Sequence, residues 1–355
     1  MSSSFPSPAA SGGPASGSTV LDETPIIDGT APRGLRRLFV ANLIAQIGIV
    51  ITGGIVRLTG SGLGCPTWPE CVDGSLTPTS AQEESTAQKV LEFGNRLLTF
   101  VLAALAIAAV VATIVWLRRR RAAGLGTRRP LLILAAIPLI GTIVQAALGG
   151  ITVLTGLSPL AVAAHFLVSM AIIAACVVLV VRAGEPGDVP RTNSVALPLR
   201  VLVRGLVVVT AIVVILGVIV TGSGPHAGDD DVTSRFPFEF ATAAWLHADA
   251  VWLFLGLLAG ILGTAWLLGW PRPLSRRAWI LAAIALVQGA IGYVQYATGV
   301  PEVLVAFHLL GACLTWAGAV WLLLGIRTRG MVPAPAGSPR LADAVTHARE
   351  PGAVT

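Results

Sequence analysis

Long apolar runs alternate with short polar breaks along most of this chain. Eight runs stand out, at roughly 36–57, 88–117, 131–153, 158–182, 200–221, 240–269, 277–298 and 301–326. A helix needs about 20 mostly apolar residues to cross the hydrocarbon core of a bilayer. The pattern therefore predicts an all-α integral membrane protein with eight transmembrane helices. Residues 1–33 contain no such run; they are rich in Ser, Pro and Gly, carry Asp22, Glu23 and Asp28, and read as a disordered tail. No arginine precedes Arg33, so this stretch reads neither as a transit peptide nor as a secretory signal. Residues 329–355 read as a second disordered tail.

The polar breaks differ in charge. The segment up to Arg37, the 118–129 loop, the 182–204 loop, Arg272/Arg276/Arg277 and the C-terminal tail hold 20 of the 24 Lys and Arg residues. The other breaks hold Arg57, Lys89, Arg96 and Arg235. Basic loops stay in the cytoplasm, which places both termini there, as an even number of spans requires. The outer loops are then 58–87, 154–157, 222–239 and 299–300. Composition agrees: 54% of residues are hydrophobic and only 12% charged, against about 25% charged in soluble domains. That excludes a water-soluble enzyme, a disordered protein and a nucleic-acid-binding module. The net charge of +6 reflects topology rather than a nucleic-acid partner.

The two halves of the chain resemble each other. Gln145-AALGGITVLTGLSPLAVAA-His165 aligns with Gln288-GAIGYVQYATGVPEVLVAF-His308, and TGSGLGCP (59–66) with TGSGPHAG (221–228). Four helices per half put both halves in the same orientation, so the expected architecture is a parallel repeat of two four-helix bundles.

Three of the five histidines fall inside helices. His165, His247 and His308 each lie about seven residues in from the outer end of an inward-running helix, which at ~1.5 Å per residue is ~10 Å deep. The equivalent depth on helix 2 is occupied by Asn95. Two imidazoles at one depth on neighbouring helices can clamp a haem iron from opposite faces, and His247 with His308 form such a pair. His165 faces Asn95, a poor iron ligand, which leaves an open coordination position where chemistry can occur. The other reading is three core histidines hydrogen-bonded across helices. Zinc does not fit, because no cluster of Cys, His and carboxylate ligands is visible. Glu92, one turn before Asn95, either handles a proton near the open site or pairs with Arg96. Arg57, Lys89 and Arg96 either contact haem propionates or anchor helix ends. Asp249 reads as a helix-packing residue. His226 belongs to the third outer loop and His347 to the C-terminal tail.

Cys65 and Cys71, in GCPTWPEC, lie in an outer and hence oxidising loop, where a disulfide is expected. It is either structural, stiffening a lid over the N-terminal site or simply bridging the loop, or redox-active. Cys176 and Cys313 read as buried thiols.

TGGIVRLTGSGLGCPTWPEC, EFGNRLLT, the two Gln-to-His segments, TGSGPHAGD and WLHADA, taken in order, resemble the haem A synthase family over roughly residues 36–326. The resemblance implies eight helices in two halves, here 34–190 and 191–328. It implies oxidation of a haem O methyl group to the formyl group of haem A, through successive hydroxylations and a dehydration. It implies a haem b cofactor on His247 and His308, a substrate haem on His165 beside Asn95, a functional Glu92 and a paired Cys65–Cys71. It also implies a bacterial plasma membrane, an electron acceptor and a neighbouring haem O synthase. The family carries histidine where this chain has Asn95, which leaves His165 as the predicted ligand of the substrate iron. Some relatives have a second cysteine pair in the third outer loop, and this chain has none. Two alternatives stand beside it: a two-haem b-type cytochrome that only relays electrons, which the histidine layer serves equally well, and a transporter of haem or another amphiphile, with which the parallel repeat is compatible.

Overall fold

The computed structural model describes residues 29–80, 84–188, 191–225 and 235–329. Within them, eight helices are long and apolar enough to cross a membrane. They are α1 (Arg33–Leu58), α2 (Thr86–Ala122), α3 (Arg129–Leu154), α4 (Pro159–Ala183), α5 (Leu197–Ser223), α6 (Phe240–Leu268), α7 (Arg272–Ala297) and α8 (Glu302–Gly325). All eight expected helices are present, with ends displaced by a few residues. Proline at the first turn starts α3, α4, α5 and α7, where its missing N–H costs nothing. A capping box starts α2: Ser85 and Gln88 satisfy each other's backbone N–H.

One element was not foreseen. Strands β1 (Arg191–Asn193) and β2 (Arg327–Arg329) pair antiparallel, Arg191 opposite Arg329. Three residues are too short for periodicity to reveal, and the pairing spans most of the C-terminal half. Arg329, expected to begin a disordered tail, is therefore part of a ribbon. The N-terminal tail, expected to run to residue 33, ends earlier: Ala31 is buried and its N–H donates to the Ala183 carbonyl at 2.8 Å. The remaining tail residues, together with His226 and His347, lie outside the described residues.

The ribbon marks one end of the helical array; the 59–85 segment marks the other, here termed the loop end. Packing is concentrated toward the ribbon end. Leu35, Phe39, Ala109, Leu131, Ala135 and Leu179 fill the core of α1–α4. Leu199, Val203, Leu206, Leu258, Ile261, Leu281 and Leu322 fill that of α5–α8. Both clusters lie on the ribbon side of the histidine positions. A seam of Val50, Met170, Ile173 and Cys313 joins the halves, and Trp316 Nε1 donates across it to the Met170 carbonyl at 2.8 Å. Cys176 and Cys313 are buried free thiols.

The α3–α4 and α7–α8 hairpins turn alike. Gly156 and Leu157 have φ of 60° and 58°; Gly299 and Val300 have 78° and 63°. Left-handed backbone is easy for glycine and costly for leucine and a β-branched valine. The same costly turn is thus built at both aligned positions. In each, the second left-handed N–H closes onto the carbonyl five residues back, Thr152 or Gln295, at 2.8 Å.

Arg128 locks the ribbon end. It is 2% exposed and donates to the carbonyls of Gly29 (3.0 Å), Glu185 (3.0 Å) and Arg182 (2.8 Å), and to the Asp188 carboxylate (3.4 Å). Arg182 pairs with Glu185 and Asp188, and Arg329 with Glu185. Burial lowers the Arg128 pKa, and Asp188 partly restores it. Arg128→Ala strands buried carbonyls from three segments and should cost about 3 kcal/mol or more. The thermal midpoint of the detergent-purified variant should fall well below that of an Arg118→Ala control.

Candidate functional site

Four helices that run from the loop end each present one residue at a similar level. His165 lies six residues after the first residue of α4, and His308 six after that of α8. His247 lies seven residues into α6, and Asn95 nine into α2.

His247 and His308 are brought together, with ring centroids 6.4 Å apart and planes at 67°. An imidazole nitrogen sits ~2 Å from a metal it binds and its ring centre ~1 Å further, so two rings on opposite sides of one ion have centres roughly 6 Å apart. By this spacing the two residues could hold one iron between them. His247 Nδ1 lies 3.0 Å from the Val213 carbonyl on α5. As donor there, it leaves Nε2 free to ligate, the usual arrangement for a metal-bound histidine. The Nδ1 atoms of His308 and His165 are buried and find no such partner among the described residues.

Glycines on the odd-numbered helices let these side chains sit close. A methyl group added to Gly292 would lie 3.1 Å from His308 Cε1, and one at Gly217 would lie 3.3 Å from His247 Cε1. At Gly149 it would lie 3.5 Å from His165 Cε1, and at Gly53 it would lie 3.7 Å from Asn95 Nδ2. Gln288 Nε2 donates to the His308 carbonyl at 2.8 Å, and Gln145 Nε2 to the His165 carbonyl at 2.9 Å. The two hairpins thus hold their histidines by the same pair of devices. Gly292→Val would press branched carbons against the His308 ring and should lower bound haem per protein severalfold, read from the pyridine haemochrome.

The N-terminal half is built differently. Asn95 Oδ1 accepts a 2.7 Å hydrogen bond from Thr52 Oγ1 on α1. Glu92 is 5% exposed, with Oε1 held 2.8 Å from Arg96 Nη2. Its Oε2 is buried, and the backbone N–H groups of Gly64 and Cys65 approach the carboxylate. Arg96 donates onward to the carbonyls of Cys65 (2.6 Å), Thr67 (3.0 Å) and Glu70 (3.2 Å). Nε and both terminal nitrogens thereby use the whole five-proton fork of the guanidinium. Arg96, a candidate for propionate contact, is thus engaged as a clamp between Glu92 and the loop.

That loop is closed by a Cys65–Cys71 disulfide, and both cysteines are buried. Trp68 packs on Gly150 of α3, the neighbour of Gly149. The loop therefore spans from α2 to α3 beside the levels of Glu92 and His165. Lys89 donates to the Thr79 carbonyl at 3.2 Å, and Arg57 ends α1. Asp249 is exposed on α6, so the helix-packing role expected for it does not hold. Thr52, Gly217, Val213 and Trp68 carry no chemistry of their own in the sequence and emerge from the structure. Gly149 and Gly292 were readable, four residues after each aligned glutamine.

Residues 36–228, more than half of the chain, match the cytochrome oxidase assembly protein family designated COX15-CtaA. A heme A synthase of Bacillus licheniformis is 25% identical over 308 residues, 83% of this chain and 94% of that protein. One of Lysinibacillus sphaericus is 35% identical over 148 residues, 41% of this chain and 44% of its own. One of Exiguobacterium sibiricum is 32% identical over 177 residues, 50% and 55% of the two chains. With its eight helices and its histidine layer, the chain belongs to the COX15-CtaA family of cytochrome oxidase assembly proteins.

Proposed function

We propose that this protein is a haem A synthase, which oxidises a methyl group of haem O to the formyl group of haem A. The observation that carries the reading is an asymmetry between the halves. One half holds two imidazoles at single-ion spacing. The other holds one histidine, an asparagine at a similar level, and a buried carboxylate under a clamped loop. Relatives named heme A synthase add to it.

The C-terminal half is the cofactor half. His247 and His308 would hold haem b through their Nε2 atoms, with Val213 fixing the His247 tautomer. Bound there, haem b supplies reversible one-electron chemistry. The N-terminal half is the substrate half. His165 would hold the substrate iron, and Asn95, hydrogen-bonded to Thr52 at a similar level, is a poor iron ligand. With water as the source of the formyl oxygen, taking a methyl carbon to the formyl level removes four electrons and four protons. The Glu92 carboxylate, buried and held on one oxygen by Arg96, is placed to accept a proton. Arg96 keeps the other oxygen fixed and ties it to the loop, which shields that half from water. Electrons leave to an acceptor not held by this chain.

The chain is inferred to be a multi-pass protein of a bacterial plasma membrane, supplied with substrate by a haem O synthase. The arginine distribution supports a cytoplasmic ribbon end and both termini there. The matched turns and glutamine-to-histidine bonds of the two hairpins support a parallel repeat.

The haems bound to the purified protein separate the readings. A haem A synthase expressed with haem O should carry haem b together with haem O, a hydroxylated intermediate or haem A. Haem b alone would favour an electron relay. A protein without stoichiometric, redox-active haem would favour a transporter.

A further inference from the structure

The ribbon end holds a second feature, remote from the histidines. A cavity of about 320 Å³ is lined by Arg191 and Asn193 of β1, Arg204 of α5, Leu323 and Ile326 at the end of α8, and Arg327 of β2. Its charge is of one sign. Among the described residues, none of Arg191, Arg204 and Arg327 makes an ion pair, whereas the acids nearby are engaged by Arg128, Arg182 and Arg329. After burial, the closeness of Arg191 is the largest influence lowering the Arg327 pKa. Three arginines thus line one cavity, and the nearby Glu185, shared with Arg182 and Arg329, offsets Arg327 only in part. That surplus of positive charge calls for an anion with several oxygens, and arginine forks match phosphate.

The position of Arg204 indicates where that anion comes from. The outward face of α5 is a stripe of exposed apolar residues, Leu197, Val201, Val208, Ile212 and Ile215. Arg204 is itself exposed and falls in register within that stripe, three residues after Val201 and four before Val208. A cation in a lipid-facing stripe is costly unless its head reaches the interface or an anion. The cavity offers that meeting point: arginines around the mouth, Leu323 and Ile326 as an apolar wall, and a lipid-facing helix leading from it.

We propose that this cavity binds the phosphate of an anionic membrane phospholipid, gripped by Arg191, Arg204 and Arg327, with the acyl chains along the Val201–Val208 face of α5. The lipid ties β1 and the start of α5 to the end of α8 and β2, and so braces the ribbon end of the C-terminal half. Basic pockets at the ends of transmembrane helices commonly take such headgroups.

Native mass spectrometry of the full-length protein, titrated with phosphatidylglycerol or phosphatidylcholine in matched micelles, tests the site. One phosphatidylglycerol should bind at least tenfold more tightly than phosphatidylcholine and survive millimolar inorganic phosphate. Arg204→Gln and Arg327→Gln should each weaken it about fivefold, the effect expected of one arginine near an anionic headgroup. Arg204→Lys should retain most of the binding, and Arg272→Gln, an exposed arginine outside the cavity, should retain all of it. Equal binding of the two lipids, equal weakening by Arg272→Gln, or full displacement by inorganic phosphate would each overturn the proposal; the last would reassign the cavity to a free anion.

Discussion

Replacing His308 with alanine should strip haem b from the purified protein and abolish haem A formation together. His308 and His247 form the only pair of imidazoles brought to single-ion spacing among the described residues, with centroids 6.4 Å apart. Partners that merely orient a metal ligand are worth 10–100-fold in affinity or activity, so deletion of a ligand should cost at least as much. Haem content per protein, read optically, should fall at least tenfold, and His247→Ala should behave alike. The α8 hairpin should survive the change, because Gln288 grips the His308 backbone carbonyl rather than the ring. An unaltered elution profile in size exclusion would show this. If either variant kept a full complement of low-spin haem b, the cofactor would not be held by this pair.

The second large effect is expected at Glu92. Glu92→Gln keeps the shape and removes the charge. Positioned general acids and bases contribute about 10²–10⁴-fold to rates, so haem A formation should fall by about a hundredfold or more. Haem b content should stay at the wild-type level, since Glu92 belongs to the other half. A merely structural role predicts something else. Arg96 also binds the carbonyls of Cys65, Thr67 and Glu70, so the loop stays attached when the Glu92 charge is lost. Glu92→Gln should therefore leave thermal stability nearly unchanged, whereas Arg96→Ala should release the loop. A fall in stability that matches the fall in activity would make Glu92 an anchor of the loop and nothing more.

Much of this was legible in the sequence because a bilayer imposes simple rules. A spanning segment must be apolar, helical and about 20 residues long, so all eight helices could be located from composition alone. Polar side chains are scarce inside such helices, so His165, His247, His308 and Glu92 stood out. The aligned Gln145/His165 and Gln288/His308 spacings pointed to like hairpins, and their turns match in backbone conformation. Other features were hidden for physical reasons. The ribbon pairs Arg191 with Arg329 across 138 positions of chain, with three residues a side, and no local pattern encodes so short a ladder. Arg96 could be read as a helix anchor or a propionate ligand; only the carbonyls that the folded loop turns toward it decide where its protons go. The exposure of Asp249 likewise depends on how α6 is rotated, which its nearly uniform hydrophobicity does not reveal.

The most direct test of the central claim is chromatography of haems extracted from cells that make haem O, with and without this chain. With it, haem O should decline while haem A or its hydroxylated intermediate appears, and a His165→Ala variant should leave haem O unconverted. If haem O persisted unchanged beside folded, haem b-loaded protein supplied with an electron acceptor, the chain would be an electron carrier and not a haem A synthase.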